Sequence, residues 1–161
     1  MHVSGSDSLP LFHSWPLFDA ASRMGLDGLN IFGLPDVDTA RLARQANIGV
    51  WSCDLQNDNA LRWSSQVYAL FGIPDGEHLT RSFAVSLYAP RSRAAMEMLR
   101  GYAIQHRRGF TIDAMIRRPS GEARWMRLSA MPIISEGKVV RLSGTKQDVT
   151  VEYDGPDWTS V

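Results

Sequence analysis

Apolar and polar residues alternate over positions 48–55 (IGVWSCDL), which puts Trp51, Cys53 and Leu55 on one face of a β-strand. The polar run Gln56-Asn57-Asp58-Asn59 supplies turn residues, and positions 60–63 form a second short strand. Ser64 stands where it can cap a helix over 65–71, which Gly72 and Pro74 stop. Pro90 opens the longest helix, through 106 and ending by Gly109, with Met96, Leu99, Ala103 and His106 as its buried stripe. Phe110, Ile112, Ala114 and Ile116 then alternate inward along a strand over 110–118. Pro119-Ser120-Gly121-Glu122 turns the chain into a long strand over 123–134, and Ser135-Glu136-Gly137-Lys138 turns it again into 139–148. The order β-β-α-α-β-β-β predicts an antiparallel α+β domain with its helices on one sheet face.

The first part of the chain has a different texture. Ser14-Trp15-Pro16 reads as a helix start, with Leu17, Ala21 and Met24 at helical spacing beside Phe18. Asp36 or Asp38 caps a second short helix over 39–46. Three parts follow: an N-terminal extension over 1–38, a globular domain over 39–150 and a tail over 151–161. Gly155-Pro156 in that tail forbids a continuing helix.

Several short motifs stand in a fixed order along the body. They are Gly49-Val50-Trp51-Ser52-Cys53-Asp54, Trp63-Ser64, Leu70-Phe71-Gly72 and the Pro90 helix start. Arg118-Pro119-Ser120-Gly121, Arg124-Trp125-Met126 and Gly144-Thr145-Lys146-Gln147-Asp148-Val149-Thr150 complete the series. Together they resemble the PAS family, in the Trp-rich branch that carries a C-terminal PAC motif, over about residues 40–150. The resemblance implies a PAS fold: a five-stranded antiparallel sheet with helices on one face, here with an N-terminal helical extension. Two departures stand out. The family's H-P-x-D-R helix start is Ala89-Pro90-Arg91-Ser92-Arg93 here, and a hairpin-strand Arg common in the family is Met115.

The resemblance implies a non-enzymatic regulator, a stand-alone sensory and protein-interaction module acting in trans on histidine kinases or other signalling proteins of a two-component system. Two alternatives remain open: a small-molecule sensor that works through self-association, and a fragment of a larger PAS-containing kinase or diguanylate cyclase.

Composition narrows the classes further. The 161 residues, 44% apolar, are one domain's worth. One basic and five acidic residues give positions 1–38 a charge of −4, so with zero overall the rest carries +4. Arg107-Arg108 and Arg117-Arg118 are doublets rather than a basic stripe, so no nucleic-acid partner is expected. No apolar run is long enough for a membrane span, no signal peptide stands at the N-terminus, and Cys53 is the single cysteine; a cytoplasmic protein without membrane insertion is expected.

No G-x-S-x-G, H-x-x-x-H or C-x-x-C occurs, so neither catalytic residues nor a metal site is expected. A photochemical flavin relative carries a reactive Cys where this chain has Pro74-Asp75-Gly76-Glu77-His78, and a haem relative needs an axial His on the long helix. His106 lies at that helix's last turn, where a cationic or capping role is favoured. No flavin, haem or other cofactor is therefore expected. Trp51, Cys53, Leu70, Phe71, Met96, Leu99, Ile112, Ala114, Leu128 and Ala130 form the inward set that would line any cavity. That set offers few polar groups, so a ligand there is expected to be small and apolar. Trp15, Leu17, Phe18, Met24 and Leu42 are the expected interface of a homodimer, being too apolar to leave in water.

Overall fold

Every main element of the body forms where the pattern places it, and the sheet is antiparallel throughout. The computed structural model describes residues 13–14 and 47–153. In chain order the elements are β1 (His13–Ser14), β2 (Ile48–Asp54), β3 (Ala60–Trp63), α1 (Ser65–Phe71), α2 (Arg81–Ser86) and α3 (Pro90–His106). They are followed by β4 (Phe110–Arg117), β5 (Ala123–Ser135), β6 (Lys138–Asp148) and a 3-10 turn, Thr150–Glu152. The strand order is β1-β4-β5-β6-β2-β3. Strands β2 to β6 are the five expected; a sixth, the two-residue β1, pairs His13 with Ile112 and Ser14 with Thr111 at the β4 edge. Ser14, read from sequence as a helix start, is thus extended. The expected helices beyond it, over 15–46, lie outside the described residues.

The helices cover one face of the sheet. Val67, Leu70 and Phe71 of α1 and Met96, Leu99 and Ala103 of α3 pack on Trp51, Phe110, Ile112, Ala114, Met126, Leu128 and Leu142. Alternation carries the next residues to the other face, where Met115 and Trp125 pair across β4 and β5 and join Ala89, Val149 and Tyr153 in a smaller cluster.

Two glycines of the motif series have a steric reason. A Cβ on Gly144 would stand 1.9 Å from the Ser129 carbonyl oxygen, so only glycine lets β6 lie this close to β5. A Cβ on Gly49 would stand 2.4 Å from Val67 Cγ2, so Gly49 admits α1 onto the sheet. The Arg of R-x-x-G has a comparable role across the fold. Arg118 donates from Nε to the Leu70 carbonyl at 3.0 Å and from Nη2 to that of Ala69 at 2.9 Å, satisfying the end of α1 that Gly72 terminates at φ 69°.

Three expectations need correction. Ser64 does precede α1, but its side chain makes no capping bond; its Oγ accepts from the Val50 N–H at 2.9 Å and ties the helix start to β2. His106 is exposed and stacks on Tyr102, so the buried stripe of α3 is Met96, Leu99 and Ala103, with Ser92 an earlier buried member. A third helix, α2, stands where none was expected. It is six residues long, capped by Thr80, whose Oγ1 accepts from the Phe83 N–H at 3.2 Å. A single turn and a half with one buried side chain, Ala84, leaves no helical period to detect.

Candidate functional site

A cavity of about 50 Å³ lies between the inner face of the sheet and α2 and α3. By the same measure one water needs about 10–15 Å³, so a small molecule of a few heavy atoms fits. Trp51, Cys53 and Leu61 line it from β2 and β3, Arg81, Ala84 and Val85 from α2, Tyr88 from the turn that follows, and Met96 and Arg100 from α3. Phe110, Leu128, Leu142 and Lys146 complete the wall from the remaining strands.

Lys146 is its most unusual member. It is only 7% exposed, and its ammonium sits 5.1 Å from the ring centre of Trp63, 5.0 Å from Phe71, 5.3 Å from Trp51 and 5.9 Å from Tyr88. Its cross-strand neighbours are Gly49 and Leu128, neither of which offers a carboxylate. Among the described residues no hydrogen bond or ion pair reaches its Nζ. Ring faces offset part of the cost of burying a cation, by about 2 kcal/mol when desolvated. They do not supply a counterion, and burial draws the amine down to about 7, with Cys53 the single opposing influence.

Two further cations reach the same cavity. Arg81 is held by Glu97, and Arg100 donates from Nη2 to Asn59 Oδ1 at 3.0 Å. Arg100 and Arg81 act electrostatically on the Cys53 thiol against Asp54, and that thiol in turn acts on Lys146; all three cations line the same space. Cys53 itself is 3% exposed, and burial raises its pKa above that of a free thiol, which leaves it unreactive.

Of the residues expected to line a cavity, Trp51, Cys53, Met96 and Leu128 do so. Leu70, Phe71, Leu99, Ile112, Ala114 and Ala130 are buried in the same core, away from the cavity wall. Sequence reasoning missed Lys146, Arg81, Arg100 and Tyr88. Lys146 carried a signal, since it is in phase with Leu142 and Gly144 on the inner face of β6. Arg81 carried none, because its helix was itself undetected. The expected interface residues Trp15, Leu17, Phe18, Met24 and Leu42 lie outside the described residues.

The opposite face of the sheet holds a second charged cluster. Asp113 is 8% exposed and receives Arg127 in a two-pronged ion pair, Nε to Oδ1 at 2.8 Å and Nη2 to Oδ2 at 2.9 Å. Arg127 also reaches Glu152 at 2.8 Å, and the Tyr153 hydroxyl donates to Asp113. The Tyr153 ring stacks on Trp125 at 4.4 Å. Beside them, Asp148 accepts from Arg124 at 3.1 Å and from the Thr150 N–H and hydroxyl, while Thr150 Oγ1 accepts from the Trp125 N–H at 3.0 Å. The R-W and D-V-T motifs are thus one lock that binds the end of β6 to β5.

Among the described residues no group of three or more His, Cys, Asp or Glu could hold a metal ion, and no helix is long and apolar enough to cross a membrane. The family described as "PAS fold" matches residues 60–146, more than half of the chain. No curated protein matches the sequence. Among solved structures, one similar chain is a sensory box histidine kinase/response regulator from Burkholderia thailandensis, at 21% identity and TM-score 0.61, covering 70% of this chain and 85% of that one. The N-terminal domain of a diguanylate cyclase with PAS/PAC sensor from Marinobacter aquaeolei aligns at 19% identity and TM-score 0.60, over 65% and 97%. An RNA-binding light-oxygen-voltage receptor aligns at 13% identity and TM-score 0.58; the match covers 70% of this chain and 32% of that receptor.

Proposed function

The chain belongs to the PAS family, and on that premise we propose that it is a non-catalytic sensory module, signalling occupancy of its core cavity to partner proteins such as histidine kinases. The observation that carries this reading is the cavity itself, placed between the sheet and the two helices α2 and α3 and lined by both. A molecule held there touches elements that end at different surfaces, so occupancy changes how α2 sits against the sheet. The similarity to chains named as histidine kinase and diguanylate cyclase domains supports the class of partner.

The test joins two measurements on the full chain. Native mass spectrometry should find a retained small molecule, and Ala84→Leu, which fills the cavity, should lose it. A pull-down should recover signalling enzymes, more from one occupancy state than the other. Recovery of neither ligand nor signalling enzyme would count against the module.

The output surface we propose lies in residues 14–46, through Trp15, Leu17, Phe18, Met24 and Leu42, acting in a homodimer of a cytoplasmic protein. Its support is composition: this much apolar surface needs cover. Deleting residues 1–38 would also remove β1, so Trp15→Ser with Phe18→Ser is the cleaner variant. Light scattering should show a dimer that the double substitution dissociates; a monomeric parent chain at high micromolar concentration would sink the dimer.

A further inference from the structure

The cavity wall is electrically lopsided. Among the described residues its charged members are Lys146, Arg81 and Arg100, all positive, and no Asp or Glu lines it. Two of the three are answered from nearby, Arg81 by Glu97 and Arg100 by the Asn59 amide oxygen. Lys146 is answered by rings alone, and its stem lies beside Leu128, which turns apolar surface toward the same space. A buried cation without a counterion costs several kcal/mol, and a fold that keeps one beside an open space has left room for the counterion to arrive from outside.

We propose that the cavity binds a short-chain organic carboxylate, with the carboxylate at Lys146, drawn also by the Arg81 and Arg100 that line the same space, and the alkyl end among Leu61, Val85 and Met96. This rests on reading the cavity as the sensory site, and it replaces the apolar ligand that composition suggested with an anionic one. Size favours a molecule of a few heavy atoms, and the apolar remainder of the wall favours an organic anion over an inorganic one. The titratable groups facing Lys146 are Cys53 of β2 and Tyr88 after α2; Arg81, with its partner Glu97, acts on Tyr88, and Arg81, Arg100 and Asp54 act on Cys53. An arriving anion favours the ammonium over the amine, so binding near pH 7 takes up a proton.

Isothermal titration of the full chain with propionate, its neutral counterpart propionamide, and chloride tests this. Propionate should bind at least tenfold more tightly than propionamide or chloride, with a heat that varies with the buffer's ionisation enthalpy in the sense of proton uptake. Lys146→Met and Arg100→Gln should each weaken propionate by tenfold or more while leaving a folded chain by circular dichroism. Propionamide binding as tightly as propionate would overturn the anion and leave the sensory cavity standing. Chloride binding as tightly would overturn the organic ligand, and unchanged propionate affinity in both variants would overturn the assigned cations. Binding of none of the three would overturn the anion, and with it the sensory cavity if Ala84→Leu and the parent chain also look alike by mass spectrometry.

Discussion

The two faces of one sheet bury charge in opposite ways. On the outer face Asp113 stands directly across from Arg127, so the carboxylate enters the protein already paired; the Tyr153 hydroxyl also donates to it, and Glu152 is a second acceptor for Arg127. On the inner face Lys146 stands across from Leu128 on one side and Gly49 on the other. The cation meets rings and empty space instead. The cross-strand neighbour therefore decides whether a buried charge becomes a structural tie or an unanswered group. A tie fixes the end of β6 to β5, whereas an unanswered group costs stability in return for a place to bind. The contrast also separates roles: the outer cluster holds the fold shut near its last strand, and the inner one is where composition can change with a ligand.

That contrast can be broken at four points, taken from the largest effect down. Trp125→Ala removes a ring that is 3% exposed and stacked on Tyr153, so it should cost about 3–5 kcal/mol in chemical denaturation. A loss under about 1 kcal/mol would mean that the outer cluster is peripheral. Arg127→Met should cost about 3 kcal/mol, because it strands Asp113 beneath the surface without its counterion. Lys146→Met should act in the other direction and stabilise the ligand-free chain by about 1–2 kcal/mol at pH 6, since it replaces an unanswered charge with an apolar side chain of similar length.

The pH dependence of that gain sharpens the comparison. Folded Lys146 loses its proton near 7, against 10.5 for an ordinary lysine. Below 7 both folded and unfolded chains carry the charge, and the cost of burial is full. Between 7 and 10.5 only the unfolded chain holds the proton, so this group makes the folded state more stable as pH rises. The advantage of Lys146→Met should therefore shrink between pH 6 and pH 9 when the two melting curves are compared. A constant difference would show that the amine titrates as in water. Ser64→Ala is the neutral reference: it leaves the Val50 N–H without its acceptor and should cost about 1 kcal/mol, independent of pH.

The strands and the long helix were legible because each repeats its pattern over enough residues to show a period. Phe110, Ile112, Ala114 and Ile116 announce β4, and Pro90 announces α3. The helix α2 was not legible, since six residues with one buried side chain carry no period. The site suffered from the same gap. Arg81 and Val85 come from α2, and Arg100 reaches the cavity from α3, at helical spacing from Met96 and Ala103, where an arginine does not read as an inward position. Ser64 was identified as a helix start for the wrong bond: serine favours caps, and here its hydroxyl found a strand amide instead. Alternation did place Lys146 on the inner face. The usual rule that lysine points to water hid it.

Arg118 joins two parts of the chain that sequence keeps far apart. Its guanidinium holds the carbonyls of Ala69 and Leu70 from the start of the β4–β5 hairpin turn, while the Arg118 N–H bonds the Glu122 carbonyl at 2.8 Å across that turn. A helix of seven residues has almost no stability of its own. Its opening is therefore tied to that of the hairpin, and the two form one cooperative unit for hydrogen exchange. The amides of Gly72 and Ile73, which close the end of α1, should exchange with the same free energy as those of the hairpin. In Arg118→Met they should exchange faster, while those in the middle of β5 and β6 keep their rates.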